Sequence, residues 1–140
     1  MTSNIKQRFL EQLSLLERLV LPSNQYLIFG SGPLAIRAIR ESKDIDLLVS
    51  KELWNQLKQK HPPSTSRLIP IGNIEIWNDC MNLTGRIDEM IAHPDIIEGF
   101  PFMTLPDTIE WKRFLHRDKD LKDIALIEQY LENIEPVSRY

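Results

Sequence analysis

The stretch that most constrains this chain is Tyr26 to Ser50, YLIFGSGPLAIRAIRESKDIDLLVS. It opens with Tyr26-Leu27-Ile28-Phe29, an apolar run of strand length and composition. Gly30-Ser31-Gly32 stops that run, and Pro33 follows, a residue favoured at the first position of a helix. Leu34 to Arg40 is apolar enough to pack on a sheet, and Glu41-Ser42-Lys43 turns the chain. Asp44-Ile45-Asp46-Leu47-Leu48-Val49 then reads as a second buried strand. Side chains alternate along a strand, so Asp44 and Asp46 share one face while Ile45, Leu47 and Val49 share the other. Two carboxylates on an otherwise apolar strand are costly unless something positive sits between them. A divalent cation meets that need, and oxygen ligands of this kind suit magnesium. At the strand-to-helix junction, Gly30, Ser31 and Gly32 let the backbone approach phosphate oxygens where a helix N-terminus favours an anion.

The order of these parts resembles the signature of the nucleotidyltransferase superfamily, which includes DNA polymerase beta, antibiotic nucleotidyltransferases and the minimal nucleotidyltransferases of bacterial toxin–antitoxin systems. That signature is a hydrophobic strand, Gly-Gly or Gly-Ser, a short helix, an Asp-x-Asp strand and a third carboxylate on a neighbouring strand. Here Gly30-Ser31 is followed after twelve residues by Asp44-x-Asp46, and the likeness extends from about Leu27 to Tyr130. The resemblance implies an α/β (α+β) fold, a mixed sheet with helices packed on it and helices at the C-terminal end. It also implies two magnesium ions and a nucleoside triphosphate substrate. Asp44, Asp46 and Glu75 would be the metal ligands and catalytic acids, with Gly30, Ser31, Gly32, Lys43 and Lys112 around the triphosphate. Arg37, Arg40, Arg117 and Lys119 are further candidates for charge on the phosphates. The chain departs from the commonest pattern in having Lys43 before the first aspartate and Glu, not Asp, as the third acid.

The remaining elements follow from periodicity. Asn4 to Val20 reads as an amphipathic helix with Ile5, Phe9, Leu13, Leu16 and Val20 on one face. Leu10, Leu15 and Leu19 widen its apolar arc and leave room for a partner helix. Ser50 is a good N-cap for a helix from Lys51 to Lys60, whose apolar face is Leu53, Trp54 and Leu57. Arg67 to Ile71 and Ile74 to Trp77 flank Gly72-Asn73 as a hairpin, with Pro70 marking an edge strand. Glu75 alternates with Ile74 and Ile76, which is also the pattern of a solvent-facing edge residue. Asn78 to Leu83 reads as a loop, Gly85 to Ala92 as a short helix, and Asp95 to Met103 as a second edge hairpin around Gly99. A helix opens at Leu105-Pro106-Asp107 and runs to Leu115, with Ile109, Trp111 and Leu115 apolar. The last helix, Asp118 to Asn133, would bury Leu121, Ile124, Ala125, Ile127 and Leu131, and Pro136 would end it. Asp118-Lys119-Asp120, a second Asp-x-Asp, reads as a helix start. His61, His93 and His116 flank prolines or charged turns and read as surface or capping residues. Trp54, Trp77 and Trp111 read as core anchors.

Composition narrows the function. One hundred and forty residues imply a single domain. A net charge of −3 argues against a nucleic-acid partner held by bulk electrostatics and favours a small-molecule or protein acceptor. The lone Cys80 forbids an intrachain disulfide. The N-terminus lacks signal-peptide order and no apolar run reaches membrane-spanning length, so the chain reads as cytoplasmic, with no membrane partner and its oligomeric state open. Three readings remain: an enzyme that transfers a nucleoside monophosphate to a small-molecule or protein hydroxyl, a catalytically weak or inactive binding module of the same fold, such as a toxin–antitoxin component, and a structural domain whose acidic strand faces solvent.

Overall fold

The structure, a computed structural model, describes residues 2–134. Strand β1 (Tyr26–Phe29) pairs antiparallel with β2 (Ile45–Val49). On its far side β2 runs parallel to β4 (Ile74–Trp77), and β3 (Leu68–Ile71) lies antiparallel to β4 at that edge. On the other side of β1 runs the parallel strand β6 (Phe100–Phe102), with β5 (Asp95–Ile97) as the second edge. The mixed six-stranded sheet therefore has the order β3-β4-β2-β1-β6-β5. Helices α1 (Thr2–Glu17), α2 (Gly32–Ala35), α3 (Lys51–Lys60), α4 (Ile87–Ala92), α5 (Leu105–Leu115) and α6 (Asp118–Ile134) complete a mixed α/β fold of the kind the sequence implies.

Local chemistry explains the joints. Gly72 adopts φ +61° in the β3–β4 turn, and Pro70 stands on the outer strand, where its missing N–H costs little. In the β5–β6 turn both Glu98 (φ +53°) and Gly99 (φ +82°) are left-handed, as a two-residue turn matching strand twist requires. Ser50 caps α3, its hydroxyl accepting from the Leu53 N–H at 3.1 Å. Each histidine closes a helix: His61 ends α3, His93 ends α4, and His116 ends α5 in a left-handed conformation. The stretch expected as loop, Asn78 to Leu83, contains the start of a 3-10 helix, Met81–Arg86, that leads into α4. Helix α1 stops at Glu17, short of the expected Val20, which is left-handed (φ +50°) and exposed.

The sheet's two faces are covered differently. Ile28, Ile45, Leu47, Val49, Ile74 and Ile76 lie under Phe9, Leu13 and Leu16 of α1 and Leu53, Trp54 and Leu57 of α3. On the other face Leu27, Phe29 and Leu48 lie under Leu83, Ile87, Met90 and Ile91, with Trp77 and Trp111 at the margin. Asp46 shares this second face with Leu48, two residues away, by strand alternation. The apolar cover thus ends where the acids begin.

Helices α5 and α6 meet through ions. The expected inner stripe of α6 is corrected: Leu121 and Ala125 are exposed, whereas Asp120 and Asp123 are buried beside Ile124 and Ile127. The reason lies on α5, whose buried positions are Leu105, Thr108 and Lys112, while Ile109, Trp111 and Leu115 are only half-buried. Lys112 Nζ lies 3.0 Å from Asp123 Oδ2 and 3.8 Å from Asp120 Oδ1. Arg40 grips Asp123 with two hydrogen bonds, 2.6 and 2.8 Å. Arg117 holds Asp120 at 2.7 and 3.2 Å and adds a backbone N–H bond of 3.0 Å, the return half of a capping box. Burial pushes both carboxyls up, yet the hydrogen bonds and charges of Arg117, Arg40 and Lys112 outweigh it and hold both below the usual range. Among the described residues, no helix is long and apolar enough to cross a membrane.

Asp123→Ala strands the buried Lys112 ammonium and should cost about 3 kcal/mol, the lower end for breaking a buried pair, since Arg40 can turn to solvent. Leu121→Ala should cost less than about 1 kcal/mol, because the side chain is exposed. Urea unfolding of the two variants checks this, and a larger loss from Leu121 would overturn the assignment of inner face.

Candidate functional site

The site is built by strand register. Parallel pairing of β2 with β4 sets Asp46 opposite Glu75, and antiparallel pairing of β1 with β2 sets Phe29 opposite Asp46. The Gly30 turn that follows Phe29 therefore lies against Asp46. A Cβ at Gly30 would stand 2.5 Å from Asp46 Oδ2, and the residue is left-handed at φ +73°. Glycine is required there on both counts. Trp77 donates its indole N–H to Asp46 Oδ1 at 3.4 Å from the same side.

Asp44 lies one residue before β2 and is exposed, so the strand begins later than its sequence implies. Its carbonyl accepts from the Ser42 hydroxyl at 2.8 Å, and Ser42 in turn meets the Ser31 hydroxyl at 2.5 Å. These contacts tie the loop before the acids to the turn after β1. Glu75 lies on an interior strand, because β3 covers the outer edge of β4. The solvent-facing edge reading of Glu75 is thereby corrected: it is half-buried and directed with Asp46 into one cavity.

Burial pushes the Asp46 carboxyl up to about 7, aided by its hydrogen bond with Glu75 and by the charges of Glu75 and Asp44, against the opposing Trp77 bond. Burial and the neighbouring carboxylates thus keep a proton on Asp46 through the acidic range. The cavity, about 690 Å³, is bordered by Gly30, Ser31, Asp44, Asp46 and Glu75. Its remaining walls carry Arg40, Lys43, Lys112, Arg117, Lys119 and Lys122. Glu41 and Asp123 stand among these cations, Asp123 paired with Arg40 and Lys112, while Lys43, Lys119 and Lys122 are exposed, a set suited to an anion bearing a metal ion.

Most of the expected site residues line this one cavity; two do not. Gly32 is buried away from it, and a Cβ there would meet Ile28 Cγ2 at 2.5 Å and Phe9 Cζ at 3.2 Å, so its lack of a side chain serves packing. Arg37 donates to the Pro33 carbonyl at 2.8 Å and to Asp95 at 2.9 Å, which commits it to β5 and not to the cavity. Lys122, Asp123 and Trp111 were missed. Lys119, Lys122 and Leu126 line the cavity at helical spacing, which periodicity could have revealed. Asp123 and Trp111 carried no such signal, since their placement depends on how α5 and α6 pair.

Among the described residues, no group of three Asp, Glu, His or Cys side chains is arranged to hold a metal ion. The donor chemistry still fits a hard divalent cation: the oxygen ligands Asp46 and Glu75 are in contact, carry a proton that a cation would replace, and have Asp44 beside them. Comparison with known protein families, curated proteins and solved structures finds no significant match.

The raised Asp46 pKa makes stability fall with pH. Unfolded, the carboxyl titrates near ~4; folded, near about 7. Its contribution is full below the lower value and is lost as pH rises through the upper one. In a chelating buffer, the melting temperature should fall between pH 5 and pH 8, and Asp46→Asn should flatten that fall and gain about 2 kcal/mol at pH 8. Equal slopes in both proteins would refute the buried pair. Gly30→Ala should cost more than about 2 kcal/mol, from left-handed strain plus the clash, but only about 1 kcal/mol in an Asp46→Ala background. A double-mutant cycle by urea unfolding reads that coupling.

Proposed function

We propose that this chain is a metal-dependent nucleotidyltransferase, moving a nucleoside monophosphate from a nucleoside triphosphate to the hydroxyl of a small molecule or protein. The observation that carries the reading is the in-register opposition of Asp46 and Glu75 beside the Gly30-Ser31 turn, in a cavity also lined by Lys43, Lys119 and Lys122. An acid cluster alone suits metal binding, and a cationic wall alone suits anion binding; together they suit a metal–triphosphate complex.

In this reading Asp44, Asp46 and Glu75 would hold magnesium, which would supply positive charge to neutralise the triphosphate and activate the acceptor oxygen. Lys43, Lys119 and Lys122 are exposed on the cavity wall and bind phosphate oxygens. Lys112 is buried and paired, so it acts as a fixed positive charge behind them. The Gly30-Ser31 turn lets phosphate approach the backbone closely. Glu75 accepts the acceptor's proton. The acceptor oxygen then bonds to the α-phosphorus, the bond from that phosphorus to the bridging oxygen breaks, and pyrophosphate leaves with the electron pair.

One observation favours the second reading, a catalytically weak or inactive binding module of the same fold: among the described residues no three acidic side chains are arranged to hold a metal ion. The two readings part on catalysis. Magnesium plus a nucleoside triphosphate at a hundred times its dissociation constant should stabilise the wild type by about 2.7 kcal/mol. Asp46→Asn should lose most of that gain, and label from an α-labelled triphosphate should pass to an acceptor in the wild type only. Thermal shifts without transfer would leave the binding module. No magnesium-dependent shift with any common triphosphate would remove both readings.

A further inference from the structure

A second cavity, about 280 Å³, shares Asp46, Glu75, Trp111, Arg117 and Lys119 with the first. Gly30, Ser31 and Asp44 border the first and not the second, whereas Phe29, Trp77, Asp79, Cys80, Met81 and Leu115 border the second and not the first. Trp111 is therefore a common wall between a cationic chamber and an aromatic one. Its ring is fixed from behind by Phe29, with centroids 5.2 Å apart and a tilt of 53°. Lys112 Nζ lies 5.2 Å from the same ring. Buried at this wall, the Trp111 indole N–H meets no acceptor among the described residues. At the lip, Met81 exposes half of its side chain from a left-handed backbone (φ +48°), a conformation that a non-glycine residue adopts at some cost.

We propose that this cavity, walled in part by Phe29, Trp77 and Trp111, holds the ring of a small acceptor molecule: a hydroxyl-bearing compound with one planar ring. The inference rests on the nucleotidyltransferase reading and names the acceptor class for it. Only Asp46 and Glu75 among the site acids border both chambers, so a hydroxyl on a ring in the second chamber meets the acids from the side away from the Gly30-Ser31 turn. The anionic donor and the ring thus share the acids and Trp111, while the Gly30-Ser31 turn serves the donor and Phe29, Trp77 and Met81 serve the ring. Indole faces and a thioether favour a planar ring over a polyhydroxylated one. A volume of about 280 Å³, at the low end for small-molecule sites, admits one or two fused rings and leaves no room for an oligosaccharide.

The probe is 3-hydroxypyridine, which carries ring, acceptor nitrogen and hydroxyl but no phosphate. Indole N–H signals of the protein are followed by nitrogen-15 NMR and assigned with Trp77→Phe and Trp111→Phe. Trp54, in the core on the sheet's other face, is the internal control. Saturable shifts of the Trp77 and Trp111 signals, with Trp54 unmoved, are expected at millimolar probe. Trp111→Phe, which keeps a ring against Phe29, should weaken binding at least tenfold. Met81→Glu, at an exposed position, should do the same while leaving the fold intact. Magnesium with α,β-methylene-ATP should change the probe's affinity by less than threefold, because the two chambers fill together. Absence of the shifts, or displacement of the probe by the nucleotide, would overturn the proposal, displacement meaning that the chamber belongs to the nucleobase. A probe that fails while the nucleotide binds removes only the aromatic chamber. A nucleotide that fails to bind removes the nucleotidyltransferase reading and the acceptor assignment with it.

Discussion

The parallel pairing of β2 with β4 is the constraint on which the site depends. Side chains opposite each other in neighbouring strands lie on the same face, so this register forces Asp46 and Glu75 together whatever their mutual repulsion. A slip of one residue would swing Glu75 to the opposite face, among the isoleucines under α1 and α3. Ile74 and Ile76, both buried in that core, prevent the slip. Apolar packing on one face thus holds two carboxyls in contact on the other. The free energy of that packing is spread over many residues, whereas the repulsion is concentrated in one pair.

The second constraint is the ion cluster between α5 and α6. Lys112, Asp120 and Asp123 are all buried, and Arg40 and Arg117 enter from the rim. Replacing such a cluster with apolar side chains is commonly neutral or stabilising, so stability alone gives little reason for it. Its geometry offers one: the cluster holds α6 so that Lys119 and Lys122 line the cavity, and it holds Lys112 and Arg117 in the same wall. Leu34, Leu105 and Ile127 are buried in this corner, with Ile39, Ile109, Tyr130 and Leu131 packed against them, and apolar packing of this kind is non-directional. Direction comes from the ions, whose hydrogen bonds tolerate little misalignment.

Legibility in the sequence followed the range of the interaction. Both hairpins and the caps at Ser50 and the histidines rest on contacts within a few residues, and they stand where the sequence placed them, while the strand carrying Asp46 starts one residue late. The inner faces of α5 and α6 were misjudged because counting apolar residues assumes that a helix buries its most apolar arc. Here the inner arc is charged on both partners, and two misjudged helices meet at one ion cluster. Gly30 and Gly32 are two residues apart in one turn, yet one clears space for a carboxylate on β2 and the other for Ile28 and Phe9. Nothing local distinguishes them.

The sequence by itself determined where most strands and helices lie and that Asp44 and Asp46 alternate with buried residues. Those are matters of backbone propensity and of a two-residue or 3.6-residue period, and each is settled within a single segment. Tertiary structure alone decided that Glu75 faces Asp46 from an interior strand, that Arg37 turns to Asp95, and that Trp111 divides two chambers. These depend on register and helix rotation between segments far apart in the chain. Such relations are set by how whole faces fit together, and no window of sequence contains them.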